Sequence, residues 1–291
     1  MEIYSPVDQI TFEIPSAIEL YIKRDDLIHP FISGNKWRKL KYLIAKAQVE
    51  NKKTLVTFGG AYSNHLLATA CAAALKGFKS VGFVRGEELD ASNNTLFLCE
   101  QFGMQLIFVD RIAYLEKHAL FQKHFNEHPS AFFIDEGGRS DEAILGCAEL
   151  IAELPQSYDH IVIAAGTGST VCGILNGCEK HQLNTKIHAV VVHKGLAEIE
   201  NYVAEKSTYK NFQIHSEFHF GAYAKTSPNL ISFMKNFQQN TGILLDPVYT
   251  AKALYALYQF IENGTIKPHE KVLFIHTGGL IGSLGMKSLL A

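Results

Sequence analysis

Ile161-Val162-Ile163-Ala164-Ala165-Gly166-Thr167-Gly168-Ser169-Thr170 reads as a strand, a tight loop and the start of a helix. An unbroken β-branched apolar run marks a strand buried on both faces, as in a parallel sheet. The Gly/Ser/Thr loop ends it, and a helical pattern is expected from near Val171. The same alternation extends in both directions. Strands are expected at Leu55–Phe58, Ser80–Val84, Leu106–Val109, Ala131–Ile134, His188–Val192 and Val272–His276, with helical patterns between most of them. The fold class is therefore α/β, with mostly parallel sheets and crossover helices. The stretch from about Thr54 to Ile134 makes a compact four-strand βα unit. It is expected as a small domain, 51–135, inserted between the two parts, 1–50 and 136–291, of a larger one. Gly59-Gly60, Gly166-Thr167-Gly168 and Gly278-Gly279 stand at strand ends, where ligands of such sheets gather.

At 291 residues, with 47% apolar and 19% charged residues, the chain can bury a sizeable core. A net charge of −2 gives no basic footprint for nucleic acid. No apolar run reaches the length of a membrane span, and no basic region followed by an apolar stretch marks a signal peptide at the N-terminus. Five cysteines without CxxC spacing read as reduced core thiols of a cytoplasmic protein. His215 and His219 lack the glutamate of a zinc-protease helix, and no metal is expected.

Four further segments carry chemistry. Residues 166–170 form a phosphate cradle of backbone amides, hydroxyls and a helix dipole. No lysine of the Walker type follows, which disfavours nucleoside triphosphates. In Ser33-Gly34-Asn35-Lys36-Trp37-Arg38-Lys39-Leu40 a turn with an N-cap passes into a helix whose stripe is Leu40, Leu43 and Ala47. Lys36 leads that stripe, so its amine is expected to point inward. Helix-dipole repulsion and desolvation both lower an amine's pKa, and a neutral amine is what carbonyl condensation requires. Ser63-Asn64-His65 opens a nearly all-apolar helix, Leu66–Leu75, closed by Gly77. A helix of that composition is buried, and its free N–H groups can seat a carboxylate. Tyr249 stands at a helix start with Tyr223 upstream, and Thr277 ends the last strand. Taken singly, each has an ordinary structural explanation: a solvated lysine, a serine cap, a core tyrosine. Together they describe a pyridoxal-phosphate site, with Lys36 for the aldehyde, the loop for the phosphate, Asn64 for the ring hydroxyl and the threonine for the ring nitrogen.

From Ile22-Lys23-Arg24-Asp25-Asp26 through Gly34-Asn35-Lys36, Ser63-Asn64-His65 and Asp246-Pro247-Val248-Tyr249 to Thr277-Gly278-Gly279, the chain resembles the 1-aminocyclopropane-1-carboxylate deaminase and D-cysteine desulfhydrase family of fold-type II pyridoxal-phosphate enzymes. The resemblance implies two lobes with pyridoxal 5′-phosphate in the cleft between them. It implies that Lys36 is the Schiff-base lysine, that Gly166, Thr167, Gly168, Ser169 and Thr170 hold the phosphate, and that Asn64 and Thr277 flank the ring. Ser63, Asn64, His65, Tyr223 and Tyr249 would meet the substrate, with Tyr249, Tyr223 and Ser63 joining Lys36 in catalysis. A homodimer is expected from the resemblance as well.

Two departures set the expected substrate. The deaminases have a glutamate after the second tyrosine, where this chain has Thr250. They have a leucine before the terminal Gly-Gly, where this chain has Thr277. A glutamate at the pyridine nitrogen keeps it protonated and the ring strongly electron-withdrawing. Cyclopropane opening needs that sink, whereas β-elimination of a good leaving group can proceed with a weaker one. The expected activity is therefore a β-eliminating lyase on a small amino acid, D-cysteine first, with the cyclopropane deaminase as the alternative. Tyr62 and Leu66-Leu67 also differ from the polar residues usual in the family, so another small substrate stays open. An idle cofactor carrier, a racemase and a dehydratase are weaker alternatives.

Overall fold

The computed structural model describes residues 3–15, 17–87 and 93–286. A six-stranded sheet contains, in spatial order, β1 (Val7–Ile10), β2 (Glu19–Lys23), β10 (Lys271–Ile275), β7 (His160–Ala165), β8 (Lys186–Val191) and β9 (Phe212–His215). A four-stranded sheet has the order β5 (Met104–Val109), β4 (Lys79–Arg85), β3 (Thr54–Gly60), β6 (Ala131–Phe133). All pairings are parallel except β1 with β2. β7 is buried at every residue, as its unbroken apolar run requires.

The helices are α1 (Asn35–Val49), α2 (Asn64–Lys76), α3 (Asn94–Gln101), α4 (Lys117–Phe125), α5 (Asp141–Ala152), α6 (Ser169–Lys180), α7 (Leu196–Lys206), α8 (Pro228–Thr241) and α9 (Thr250–Glu262). Among the described residues none is long and apolar enough to cross a membrane. All five cysteines are free and buried.

Seven strands fall where the sequence puts them, while β1, β2 and β9 are additional. β1 and β9 are four-residue edge strands, too short to show a period. β2 ends in Lys23, a buried charge that hides its strand character. α6 begins at Ser169, two residues before the expected Val171. Gly168 turns the chain early, at φ +90°, and a Cβ there would stand 2.7 Å from the Tyr202 ring. α2 ends on Gly77 in the left-handed region, as expected.

The smaller sheet comes wholly from residues 54–133 and the larger from the flanking parts. Helix α1 joins the two layers. Its apolar face (Trp37, Leu40, Leu43, Ile44, Ala47) packs with Leu55, Ala68 and Ala72 of the smaller layer. Each large side chain buried there contributes roughly 1.5–3 kcal/mol. Its Arg38 faces the other way, with Nε and Nη2 donating to Asp25 at 2.7 Å each and Nη1 and Nη2 donating to Glu153 beyond α5 at 2.7 and 2.8 Å. Lys23 pairs with Glu153 at 2.9 Å. The Lys23–Asp26 motif is thus mainly a buried ion network that docks α1 rather than a set of reacting groups. We retain the division into 51–135 and 1–50 with 136–291 as a proposal based on sheet membership.

Candidate active site

The starts of α1, α2, α6 and α9 and the end of β10 meet at the carboxyl ends of the strands. Gly34 adopts φ +64°, and a Cβ on it would fall 1.8 Å from the Thr277 carbonyl oxygen. Asn35 N–H donates to that oxygen at 3.3 Å, and Asn35 Nδ2 donates to Thr170 Oγ1 at 3.0 Å. The start of α1 is thereby fixed between β10 and the loop after β7. Gly34 is the N-cap and offers no side chain. Gly34 lies within the turn expected to hold the cap, and Ser33 beside it accepts the Gly279 amide at 3.3 Å.

Lys36 follows directly and is half-buried. Burial, then the nearby Lys39 charge, lowers its amine to about 7. Asp246 opposes that shift, and burial raises the Asp246 carboxyl to about 7 as well. The pair supplies an amine that is substantially neutral at physiological pH.

At α2, Ser63 Oγ accepts the His65 and Leu66 amides at 3.2 and 3.3 Å. Two of the N–H groups expected to seat a carboxylate are therefore already used. With both lone pairs engaged, Ser63 keeps its own O–H to donate. Asn64 Oδ1 accepts the Gly282 amide at 3.2 Å, leaving its NH₂ group to donate. The His65 ring is 2% exposed and bonded through Nε2 to Thr57 Oγ1 at 2.9 Å. It supports the α2 start from beneath, and its Nδ1 has no hydrogen-bond partner among the described residues.

The 166–170 loop fits a phosphate. Ser169 Oγ is buried with no hydrogen-bond partner among the described residues, a vacancy costly for a buried hydroxyl. Thr170 Oγ1 accepts from Asn35. Lys39, 3% exposed, donates from Nζ to the Gly137 carbonyl at 3.1 Å and Thr167 Oγ1 at 3.4 Å, placing a cation beside the loop. Lys39 and Asp246 are site residues the sequence analysis missed. The available signals were the three-residue spacing of Lys39 from Lys36 on one helix face and the Asp-Pro turn before Tyr249.

Tyr249 caps α9, and its ring lies 3.0 Å from the position of a Cβ on Gly166. Asp246 Oδ1 accepts its amide at 2.6 Å. Its hydroxyl donates to Tyr223 Oη at 3.3 Å, with the rings edge to face. Burial, then the neighbouring phenol, holds Tyr249 well above the usual phenol range, and burial raises Tyr223 too. Both phenols therefore stay protonated and can act as donors. Thr250 is fully buried, accepting from Asp246 N at 2.7 Å and donating to Asp246 O at 3.3 Å. The Thr277 hydroxyl makes no hydrogen bond to the described residues. Of the two threonines, Thr277 is the one left to meet a ligand.

Residues 9–278 match the family model described as "Pyridoxal-phosphate dependent enzyme". The mitochondrial "Bifunctional D-cysteine desulfhydrase/1-aminocyclopropane-1-carboxylate deaminase" of Arabidopsis thaliana is 31% identical over 92% of this chain and 74% of its own length. A "D-cysteine desulfhydrase" of Klebsiella pneumoniae is 29% identical over 90% of this chain and 87% of its own. A solved structure described as an ACC deaminase homologue superposes with a TM-score of 0.86 at 27% identity, over 98% of this chain and 92% of that one. Lysine, hydroxyl-lined loop and unpaired threonine stand together on a fold shared across the whole chain, and the protein belongs to the pyridoxal-phosphate dependent enzymes, with pyridoxal 5′-phosphate as its cofactor.

Proposed function

We propose that the protein is a β-eliminating lyase that converts D-cysteine, with water, to pyruvate, sulfide and ammonia. The observation that carries this proposal is the pair of threonines. Thr250 is tied to the Asp246 backbone, and Thr277 presents a neutral, unpaired hydroxyl at the end of β10. Lys36 would hold the cofactor aldehyde, Gly166 to Thr170 with Lys39 the phosphate, Asn64 the ring oxygen and Thr277 the ring nitrogen. When bound, the cofactor supplies an electron sink for the bond broken at Cα. Ser63 O–H and the Asn64 amide group orient the substrate carboxylate. Lys36, neutral at working pH, takes the Cα proton. The Tyr249–Tyr223 pair donates toward the departing sulfur, which leaves as sulfide. We place this activity in the cytosol and in a homodimer, which light scattering of the purified protein checks.

The cyclopropane deaminase is the second reading, favoured by the same protonated tyrosine pair, which could deliver a proton to an opening ring. Supplying D-cysteine, L-cysteine, D-serine and 1-aminocyclopropane-1-carboxylate to the loaded protein separates the two. Sulfide with pyruvate from D-cysteine alone is expected. 2-Oxobutyrate from the cyclopropane substrate would replace the first reading with the second.

Tyr249→Phe removes the hydroxyl facing Tyr223 but keeps the ring against Gly166. It is expected to lower kcat about 10²-fold, within the usual range for a lost proton donor, with bound cofactor unchanged by absorbance. An unchanged kcat would take Tyr249 out of the chemistry.

A further inference from the structure

Lys252 lies three residues after Tyr249 in α9 and is fully buried. Its Nζ donates to three carbonyl oxygens: Val192 at 3.1 Å, His219 at 3.0 Å and Ala222 at 3.2 Å. An ammonium has three donors, and all are engaged. Among the described residues no carboxylate lies within ion-pair distance of it. A buried charge held only by carbonyls is an expensive way to fill space, because an apolar side chain of that length would pack without the desolvation cost. The carbonyls it binds explain its presence.

Val192 directly follows β8. His219 and Ala222 flank a bend with Phe220 at φ 55° and Gly221 at φ 102°, and Ala224 just beyond lies at φ 56°. Non-glycine residues in this region are strained, so the bend needs outside support. It turns the His219 and Ala222 carbonyls toward the Lys252 amine, the second of them also accepting the Lys225 amide at 3.2 Å. Tyr223 is the next residue after Ala222, and its hydroxyl meets that of Tyr249. One ammonium thus joins the sheet, the helix that carries one tyrosine and the bend that carries the other.

We propose that Lys252 is a positioning residue that clamps the 217–225 bend and so sets the Tyr223–Tyr249 hydroxyl pair. This rests on the catalytic role given above to that pair, but the clamp itself is tested without turnover. Other contacts keep the bend from coming apart when the clamp is lost. Gly221 N–H donates to His219 Nδ1 at 2.8 Å, and the Phe220 ring packs on Tyr255 with centroids 5.6 Å apart.

The test compares Lys252→Met with the unaltered protein, full length and loaded with pyridoxal phosphate, by hydrogen–deuterium exchange. Amides in 217–225 are expected to exchange about tenfold faster or more, as a local opening with little residual stability would, while those in 251–262 keep their rates. Unchanged exchange in 217–225, or an equal rise throughout α9 and β8, would overturn the clamp whether or not any substrate is turned over. With D-cysteine, Lys252→Met is expected to lower kcat as Tyr223→Phe does, and the double variant to be no slower than Tyr223→Phe alone. Losses that multiply in the double variant would show that Lys252 does not act through Tyr223. If Lys252→Met fails to fold, Lys252→Gln, which keeps two donors without the charge, carries the same comparison. A clamp predicts intermediate exchange in 217–225, and wild-type rates there would overturn it.

Discussion

Lys36→Ala is expected to reduce turnover about 10³-fold or more, because it removes both the covalent attachment point and the base. The fold should survive the change. Gly34 and Asn35 dock the start of α1 on the Thr277 carbonyl and on Thr170, and neither contact uses the Lys36 side chain. The apolar stripe from Trp37 to Ala47 is likewise untouched. The circular dichroism spectrum and melting point should therefore match the unaltered protein, while the cofactor is lost on desalting. The proton state of Lys36 adds a second readout. Burial and the Lys39 charge place its amine near 7 instead of the usual 10.5. A lowered value means the amine is largely neutral above pH 7 and protonated below it. Cofactor uptake by the stripped protein should accelerate up to about pH 7 and then level off, whereas an ordinary surface lysine would gain rate as far as pH 10. Lys39→Met, which removes the neighbouring charge, should move that bend in the profile to higher pH. Full turnover in Lys36→Ala would remove this lysine from the mechanism.

The parts of the site carried by local chain chemistry are legible in the sequence. The apolar run before Gly166 fixes a strand, the hydroxyl-bearing turn after it fixes a cradle, and the Ser63 cap with the all-apolar α2 behind it fixes a buried helix start. Groups whose role depends on distant partners are not legible. Lys39 looks like one more helix-surface lysine until Gly137 and Thr167, about a hundred residues away, close over it. Ser33 lies in a turn before a helix, and nothing local shows that Gly279, just past β10, will donate its amide to the Ser33 hydroxyl. His65 belongs to one of the motifs that carry the family resemblance, yet Thr57 on β3 draws its ring into the layer beneath the site. The two threonines illustrate the same division. Both appear at the expected positions, but only the contacts of Thr250 with Asp246 leave Thr277 as the free hydroxyl.

Arg38→Met is expected to produce the largest loss of stability, about 3–5 kcal/mol, the usual result of deleting one partner from a buried ionic network. The guanidinium makes four contacts of 2.7–2.8 Å to Asp25 and Glu153. Without it, the carboxylate of Asp25, fully buried, keeps only the Ser5 hydroxyl at 2.6 Å among the described residues. Glu153 fares better, since Lys23 remains at 2.9 Å. The uncompensated charge is therefore on Asp25, whose carbonyl also receives the Gly34 amide at 2.9 Å. Loss of the network should loosen the start of α1 and weaken cofactor retention along with the fold. Arg38→Lys should recover only part of the loss, because an ammonium cannot meet two carboxylates in the planar fork that a guanidinium provides. The sign of the pH dependence follows from Glu153. Burial alone would raise its carboxyl, but the Arg38 and Lys23 contacts outweigh burial and hold it below the usual carboxylate range. A depressed folded-state value contributes stability above the ordinary glutamate range that is lost as pH falls through the folded value. The gap between the unaltered protein and Arg38→Met in urea should thus be wide at pH 7 and narrow as the solution is taken into acid. A gap that stays constant with pH would mean that Arg38 stabilises the start of α1 by packing rather than through its carboxylates.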